Sequence, residues 1–459
     1  MRRFNLYSLI LFVLVVSLSI RVVSAAPSAE KPFEGITIRV LMQSGHTAAG
    51  ELHKEVFEKF TGARVEIIGV PYGAMYQKIM TAFVTGAVDF DVVEYTYPWL
   101  ASFAKYLEPL DDLYKGVHKT ITKYAPPICN ETEPGVWDPK DFLPLLLDLY
   151  CKAIGPDGKA HYYGVPEDGD VHILYYRTDL FEKAGLKPPT TWDEYIEVAK
   201  KLTDPEKGIY GTVLMLQRGY EGFLGHFIAR FGAYGGKWFD EKMRPMINST
   251  AAVKAVLNLV KVLPYCPPGV LSYTYTESMR DFIKGKAAMA ESWVPDYYLL
   301  GNDPKISKIV GKVGCALMPA GPAGRVCPLV GGWALAIPKG LSPEKKRAAI
   351  AYILYATSRP ATLRATLLRT TVDAPIPANY KDPKLLKAAP VVKVEVEAFK
   401  VGMGVPKIPE WPRLWDILSA KVHELLTARI TDEAAIKKAL DEVALEWYKI
   451  LKEAGYYKS

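Results

Sequence analysis

Ile36-Thr37-Ile38-Arg39-Val40-Leu41-Met42 opens the stretch whose reading decides the fold. Ile36, Ile38, Val40 and Met42 alternate with Thr37 and Arg39, the two-residue period of a strand. Leu52, Val56, Phe57 and Phe60 then recur at helical spacing, and Gly62 follows as a stop. Val65 to Val70 reads as a second strand, and Met75, Ile79, Ala82 and Phe83 mark a second helix ending near Gly86. Phe90 to Glu94 is a third strand. The order β-α-β-α-β predicts a parallel sheet with right-handed crossovers. Ligands of such sheets bind beyond the carboxyl ends of the strands. Here those ends carry Gln43-Ser44-Gly45-His46 and Tyr95-Thr96-Tyr97-Pro98-Trp99, loops of polar and aromatic residues.

Outward from this core, residues 108–165 are broken by Pro, Gly and Asp and predict loops with short helices. A second α/β unit begins near Val171, with a strand over Ile173 to Tyr176 and a turn at Pro188-Pro189. Thr191-Trp192-Asp193-Glu194 predicts a capping box before a helix that buries Ile196, Ala199 and Leu202. A strand is expected over 209–215, a helix burying Val253, Val256, Leu257 and Val260, and a buried strand over Trp333 to Ile337. Ser342-Pro343-Glu344 starts another helix, with a cap and a proline in its first turn. Two amphipathic helices, about 412–427 and 432–452, close the chain, and no short-period repeat occurs.

At 459 residues the chain suggests two or three domains. Residues 1–26 read as an export signal: Arg2 and Arg3, an apolar run from Leu6 to Ile20, then Val23-Ser24-Ala25-Ala26 as a cleavage region. An uncleaved membrane anchor is the alternative. Setting aside Arg2, Arg3 and Arg21 lowers the formal charge from +7 to +4, a balance that does not argue for nucleic acid or an anionic membrane. Five cysteines allow Cys315–Cys327 and Cys129–Cys151 as pairs close in sequence, with Cys266 odd; free buried thiols are the alternative. Asn130 and Asn248 begin N-glycosylation patterns.

Four segments in order resemble the family of extracellular solute-binding proteins that includes the maltose-binding protein. They are Phe90-Asp91-Val92-Val93 with Phe103 and Leu107-Glu108-Pro109-Leu110-Asp111, then Tyr175 to Leu186 with Pro189 to Glu194. Phe282 to Met289 with Trp293, and Gly331 to Pro338, are the third and fourth. Where family members often carry Asn after the Tyr, this chain has Arg177. The resemblance spans about residues 36–450, with 112–160 and 378–405 matching poorly. It implies a two-lobed, hinged α/β fold of the periplasmic-binding-protein type (type II), with the ligand cleft between lobes. The first lobe is expected over 27–169 and 336–377, the second over 172–333 and 378–459. Crossings are then expected near Asp170–Val171, near Trp333–Ile337 and within 370–385, around Pro375 and Pro377.

The implied function is an exported monomer that captures a sugar or oligosaccharide and delivers it to a membrane ABC permease. Sugar faces need flat apolar surfaces and sugar hydroxyls need polar groups around the edge. By position in the matching segments, Tyr95 is similar to a first-lobe aromatic that faces ligand, and Trp293 and Trp415 to second-lobe stacking residues. Trp411 lies one helical turn from Trp415, and Tyr97 shares the loop of Tyr95. Gln43, Asp170 and Trp333 sit at a strand end or at crossings, and Gln217 and Arg218 follow the expected strand 209–215. A core position is the alternative for each aromatic, a solvated loop for Gln217 and Arg218, and packing or solvent for His46 and His172.

No cofactor or metal site is expected. The seven histidines are scattered, His423-Glu424-Leu425-Leu426-Thr427 lacks the second His of a zinc helix, and Gly402-Met403-Gly404 is not a dinucleotide loop. The rival readings are a polyamine binder using Glu94 and Asp170, a ferric-ion binder using Tyr297-Tyr298, and a secreted glycoside hydrolase, for which Glu167, Asp168 and Asp170 form no recognisable carboxylate pair.

Overall fold

Ile38 and Val40, both fully buried, anchor the first strand beneath helices on one side of a sheet. The computed structural model describes residues 31–115, 137–293, 295–368 and 376–457. The expected signal segment 1–26, Cys129 and Asn130 lie outside the described residues. Within them the strands are β1 (Thr37–Gln43), β2 (Arg64–Val70), β3 (Val92–Thr96), β4 (Lys152–Ile154), β5 (Ala160–Tyr162), β6 (Gly164–Val171), β7 (Ile173–Arg177), β8 (Met289–Ser292), β9 (Val313–Ala316) and β10 (Val330–Ala336).

One sheet has the order β2-β1-β3-β10-β6, and a second has β8-β7-β9. β1 is parallel to β2 and β3, as the β-α-β-α-β reading requires. The helices between them are α1 (Thr47–Thr61) and α2 (Tyr72–Thr85). Gly62 ends α1 in the left-handed conformation, φ 74°, and its N–H donates to the Glu58 carbonyl. β10 enters antiparallel to both β3 and β6. The chain passes from the first sheet to the second through His172, between β6 and β7, and returns at Leu329–Val330.

That return corrects an expected boundary. Val330 to Trp333 already pair with β6, and Trp333 also with β3, so they belong to the first sheet rather than closing the second lobe. At the third crossing, Pro375 lies outside the described residues, while Ile376 packs in the first-lobe core. Residues 209–215 are not a continuous strand. They run beside β8 through bridges at Tyr210 and Val213, whose N–H groups donate to the Lys286 and Met289 carbonyls. Cys315 and Cys327 are free thiols rather than a disulfide.

The capping box at Thr191 is half formed. Its hydroxyl accepts from the Glu194 N–H at 3.2 Å, but the Glu194 carboxylate reaches Thr190, accepting from its N–H and hydroxyl at 2.8 Å each. The helix Trp192–Leu202 buries Trp192, Tyr195, Val198 and Ala199, so Ile196 and Leu202 sit at the edge of the expected face. Trp192 and Tyr195 take the centre because a buried cation needs their rings. The Arg230 guanidinium lies 4.0 Å from the Trp192 ring centroid.

Arg230, on the helix Glu221–Ala233, organises the second lobe around one ion cluster. Its Nη1 and Nη2 donate to the two oxygens of Glu291 on β8, at 2.9 and 2.7 Å, and its Nε to Asn258 at 2.7 Å. His226 Nε2 accepts from the Met215 N–H at 2.8 Å, which leaves Nδ1–H to donate to Glu291 at 2.9 Å. Arg230, His226 and Glu291 are all fully buried. Burial alone would raise the Glu291 carboxyl, but the Arg230 charge and the His226 contact hold it well below the usual carboxylate range. Removing one partner would strand a buried charge, which costs about 3–5 kcal/mol. Glu291→Ala is therefore expected to lower unfolding stability by about that amount in urea titration. A loss under about 1 kcal/mol would mean the cluster does not carry the lobe.

Candidate functional site

Strand ends supply the first wall of a cavity between the two sheets. Its volume is about 740 Å³. Gln43 to His46 follow β1 and line it, and Tyr72 enters at the start of α2 just beyond β2. The carboxylate of Glu94, fully buried on β3, fixes the β1–α1 loop: it accepts from the Gln43 N–H at 2.6 Å and pairs with His46 Nδ1 at 2.5 Å. Burial would lower the His46 pKa, but the Glu94 charge and hydrogen bond prevail and raise it to about 9.

Trp333 forms the floor from β10. Its ring meets His46 edge-on at 5.1 Å, Trp99 at 5.9 Å and Tyr72 at 6.0 Å. The two glycines before it are required by close approach. A Cβ on Gly331 would sit 2.5 Å from the Trp293 ring, and one on Gly332 2.5 Å from the Asp168 carbonyl, with Gly332 itself at φ 138°. Between Trp333 and Ala334 the β10–β6 register shifts opposite Pro166, which has no N–H to give the ladder. The bulge leaves Asp168 opposite Trp333 and Asp170 opposite Gly331, at the cavity edge.

The second lobe contributes the loop Gln217–Glu221, Thr274–Thr276 at a helix start, Trp293 and Asp296. Tyr220 crosses to meet Tyr72 at 5.5 Å, and Thr96 on β3 donates its hydroxyl to Glu221 at 3.2 Å. Burial pushes the Glu221 carboxyl up to about 7, with the Thr96 contact opposing and the Asp168 charge adding to the rise. Asp170 is raised by burial and by the Asp168 and Asp296 charges. Asp296 is raised by burial, while the Tyr275 hydroxyl, donating at 2.8 Å, opposes.

Six of the ten residues singled out from sequence line this cavity: Gln43, Asp170, Gln217, Arg218, Trp293 and Trp333. Four do not. Tyr95 donates its hydroxyl to the Tyr150 carbonyl at 2.6 Å, because the strand period that turns Glu94 and Thr96 toward the cleft turns it away, and Tyr97, in the turn after β3, stacks on the Tyr150 ring. Trp411 is core, wedged between Trp238 and Trp447. Trp415 lies behind the site, its Nε1 donating to the Gly219 carbonyl at 3.3 Å, so it braces the loop that carries Tyr220 and Glu221.

His46 lines the cavity rather than solvent, while His172 packs at 3.9 Å against Trp293. Glu94 stands behind the wall, not on it. Tyr297 stacks on Tyr175 in the core, away from the lining, which removes the phenolate pair of the ferric reading. Among the described residues no group of three His, Cys, Asp or Glu side chains is placed to hold a metal ion. Sequence reasoning missed Tyr72, Tyr220, Glu221, Tyr275 and Asp296. Tyr72 was findable, since it follows a strand end as Gln43 does.

The His46–Glu94 pair has a pH signature. Because the folded pKa of His46 lies above its usual 6.5, the pair's stabilisation is complete below about pH 6.5 and is lost as pH rises through about 9. Stability measured across that window should fall in the native protein and stay flatter in Glu94→Gln. Parallel curves for the two proteins would refute the pairing.

The fold and site can be set beside known proteins. A probable amino-acid ABC transporter periplasmic-binding protein of Sinorhizobium fredii is 30% identical over 373 residues, 80% of this chain and 78% of its own. A solute-binding protein of Agrobacterium radiobacter, solved in complex with ribitol, superposes with a TM-score of 0.79 at 28% identity, covering 92% of this chain and 100% of that one. Maltose-bound T. maritima MalE3 superposes at 0.78 with 30% identity, over 90% and 100% of the two chains. The family model for the bacterial extracellular solute-binding protein matches residues 42–362, and this chain belongs to that family.

Proposed function

We propose that the cleft captures a sugar or polyol, that the two lobes close on it, and that the loaded protein delivers it to an ABC permease outside the cytoplasm. The observation that carries this reading is the make-up of the cavity. Trp333 and Tyr72 from one lobe and Trp293, Tyr220 and Tyr275 from the other enclose it, with Gln43, Asp170, Gln217 and Thr274 among them. Ring faces suit the apolar faces of a sugar, and carboxylates and amides suit its hydroxyls. Ribitol and maltose in the two superposed structures support the same class.

The family is one of transport binding proteins rather than enzymes. No helix of the described residues is long and apolar enough to cross a membrane. Export through the segment 1–26, and action as a monomer, complete the proposal. An amino acid, named for the S. fredii relative, fits less well. Its carboxylate needs a cation, and of those among the described lining residues His46 is paired with Glu94 and Arg218 lies 3.3 Å from Asp416.

Ligand contacts to both lobes favour the closed form, so binding shifts the hinge equilibrium. A micromolar dissociation constant needs about 8 kcal/mol of net binding. Ribitol, mannitol and maltose, screened beside the common amino acids, should include at least one compound that raises the melting temperature. Trp333→Ala and Trp293→Ala should each weaken that compound's binding at least about tenfold by calorimetry, as loss of a central ring does. A shift produced by amino acids alone would overturn the assignment.

A further inference from the structure

The charges around the cavity do not balance. Asp170, Glu221 and Asp296 line it, and Glu94, Glu167 and Asp168 are fully buried in the wall behind. Glu94 holds the lining residues Gln43 and His46. The Glu167 charge meets those of Glu94 and His46, and Asp168 that of Asp170. The cations among the described lining residues are His46, taken up by Glu94, and Arg218, more than half exposed and paired with Asp416.

Gathering like charges in a desolvated wall is costly, and two remedies exist: proton uptake or a cation. Burial and the neighbouring carboxylates push Glu167 and Asp170 well above the usual carboxylate range, the direction in which the first remedy acts. A second feature of the same cavity points to the other. Trp293, Trp333, Tyr72, Tyr220 and Tyr275 present π-systems around it, and ring faces attract an ammonium group as well as a sugar face.

We infer that the ligand of this cleft is a polyhydroxylated molecule bearing a protonated amine, an amino sugar or amino polyol, whose ammonium sits among Asp170, Glu221 and Asp296. The inference rests on the sugar or polyol reading above and narrows it. Neutral hydroxyls would satisfy the hydrogen-bonding needs of these carboxyl groups but would leave proton uptake as the sole relief of their like charge. An ammonium donates three hydrogen bonds and supplies the missing charge. The remaining hydroxyls face Gln43, Gln217 and Thr274.

Matched pairs that exchange one hydroxyl for an amine test this directly: glucamine against sorbitol, and glucosamine against glucose, by isothermal calorimetry at neutral pH. The amine of at least one pair should bind tenfold or more tighter than its neutral partner. In Asp170→Asn and in Asp296→Asn that ratio should fall toward one, the melting temperature of the unliganded variants showing that they fold. Neutral partners binding as well as or better than the amines, or a ratio that survives both substitutions, would overturn the inference. Binding of ribitol or maltose with no response to any amine would overturn it alone. Silence from every sugar, polyol and amine would instead sink the broader sugar or polyol reading.

Discussion

A chain that leaves the first sheet at Val171 must come back to complete it, and it does so by inserting Val330–Ala336 antiparallel between β3 and β6. Every residue of this strand is buried, so its backbone groups have to find partners in the ladder rather than in water. The same insertion puts Val330 opposite Val171, which makes the hinge, and Trp333 opposite Thr96 and Asp168, which makes the cavity floor. Fold and site thus share one set of hydrogen bonds. The glycines before Trp333 and the bulge at Pro166 are the local means by which a crowded strand admits both the Trp293 ring and the carboxylates of β6.

Around that strand the protein keeps two kinds of buried charge. In the second lobe Arg230, His226 and Glu291 satisfy one another, with Trp192 covering the guanidinium, and the cluster is closed to solvent. Beside the cavity the carboxylates outnumber the cations among the described residues, and His46 is paired with Glu94. Breaking a matched cluster strands a charge, whereas like charges gathered in a buried wall raise one another's energy. The second-lobe core thus answers its own charges, whereas the cleft gathers more carboxylates than cations among the described residues.

Motion follows from the same inventory. Tyr72 with Tyr220 and Thr96 with Glu221 join the lobes beside the cavity, and Ser102 with the Pro409 carbonyl and Lys407 with Asp148 join them elsewhere. Contacts of this size are worth about 1 kcal/mol each. A ligand touching both walls adds several times that amount, so occupancy rather than the protein alone sets the closed population. Trp415, although out of reach of ligand, bears on this balance by bracing the Gly219 carbonyl beneath the Tyr220–Glu221 loop.

Local pattern along the chain announces most of the elements and their order, the broken segment 209–215 excepted. The alternation at Ile38 and Val40, the helical spacing at Phe57 and the stop at Gly62 are short-range effects, so β1, α1 and β2 lie where their residues predict. The strand ends announced Gln43, and the crossings implied by the family resemblance announced Asp170 and Trp333, all three of which line the cavity. Only the tertiary structure decided which way β3 turns its side chains, sending Tyr95 to Tyr150 and Glu94 to His46. It alone brought Glu221 to Thr96 across 125 positions, and left Trp411 and Trp415 behind the wall. A periodicity specifies that a face is buried; what it is buried against depends on contacts between distant segments, which exist only once the sheets have packed.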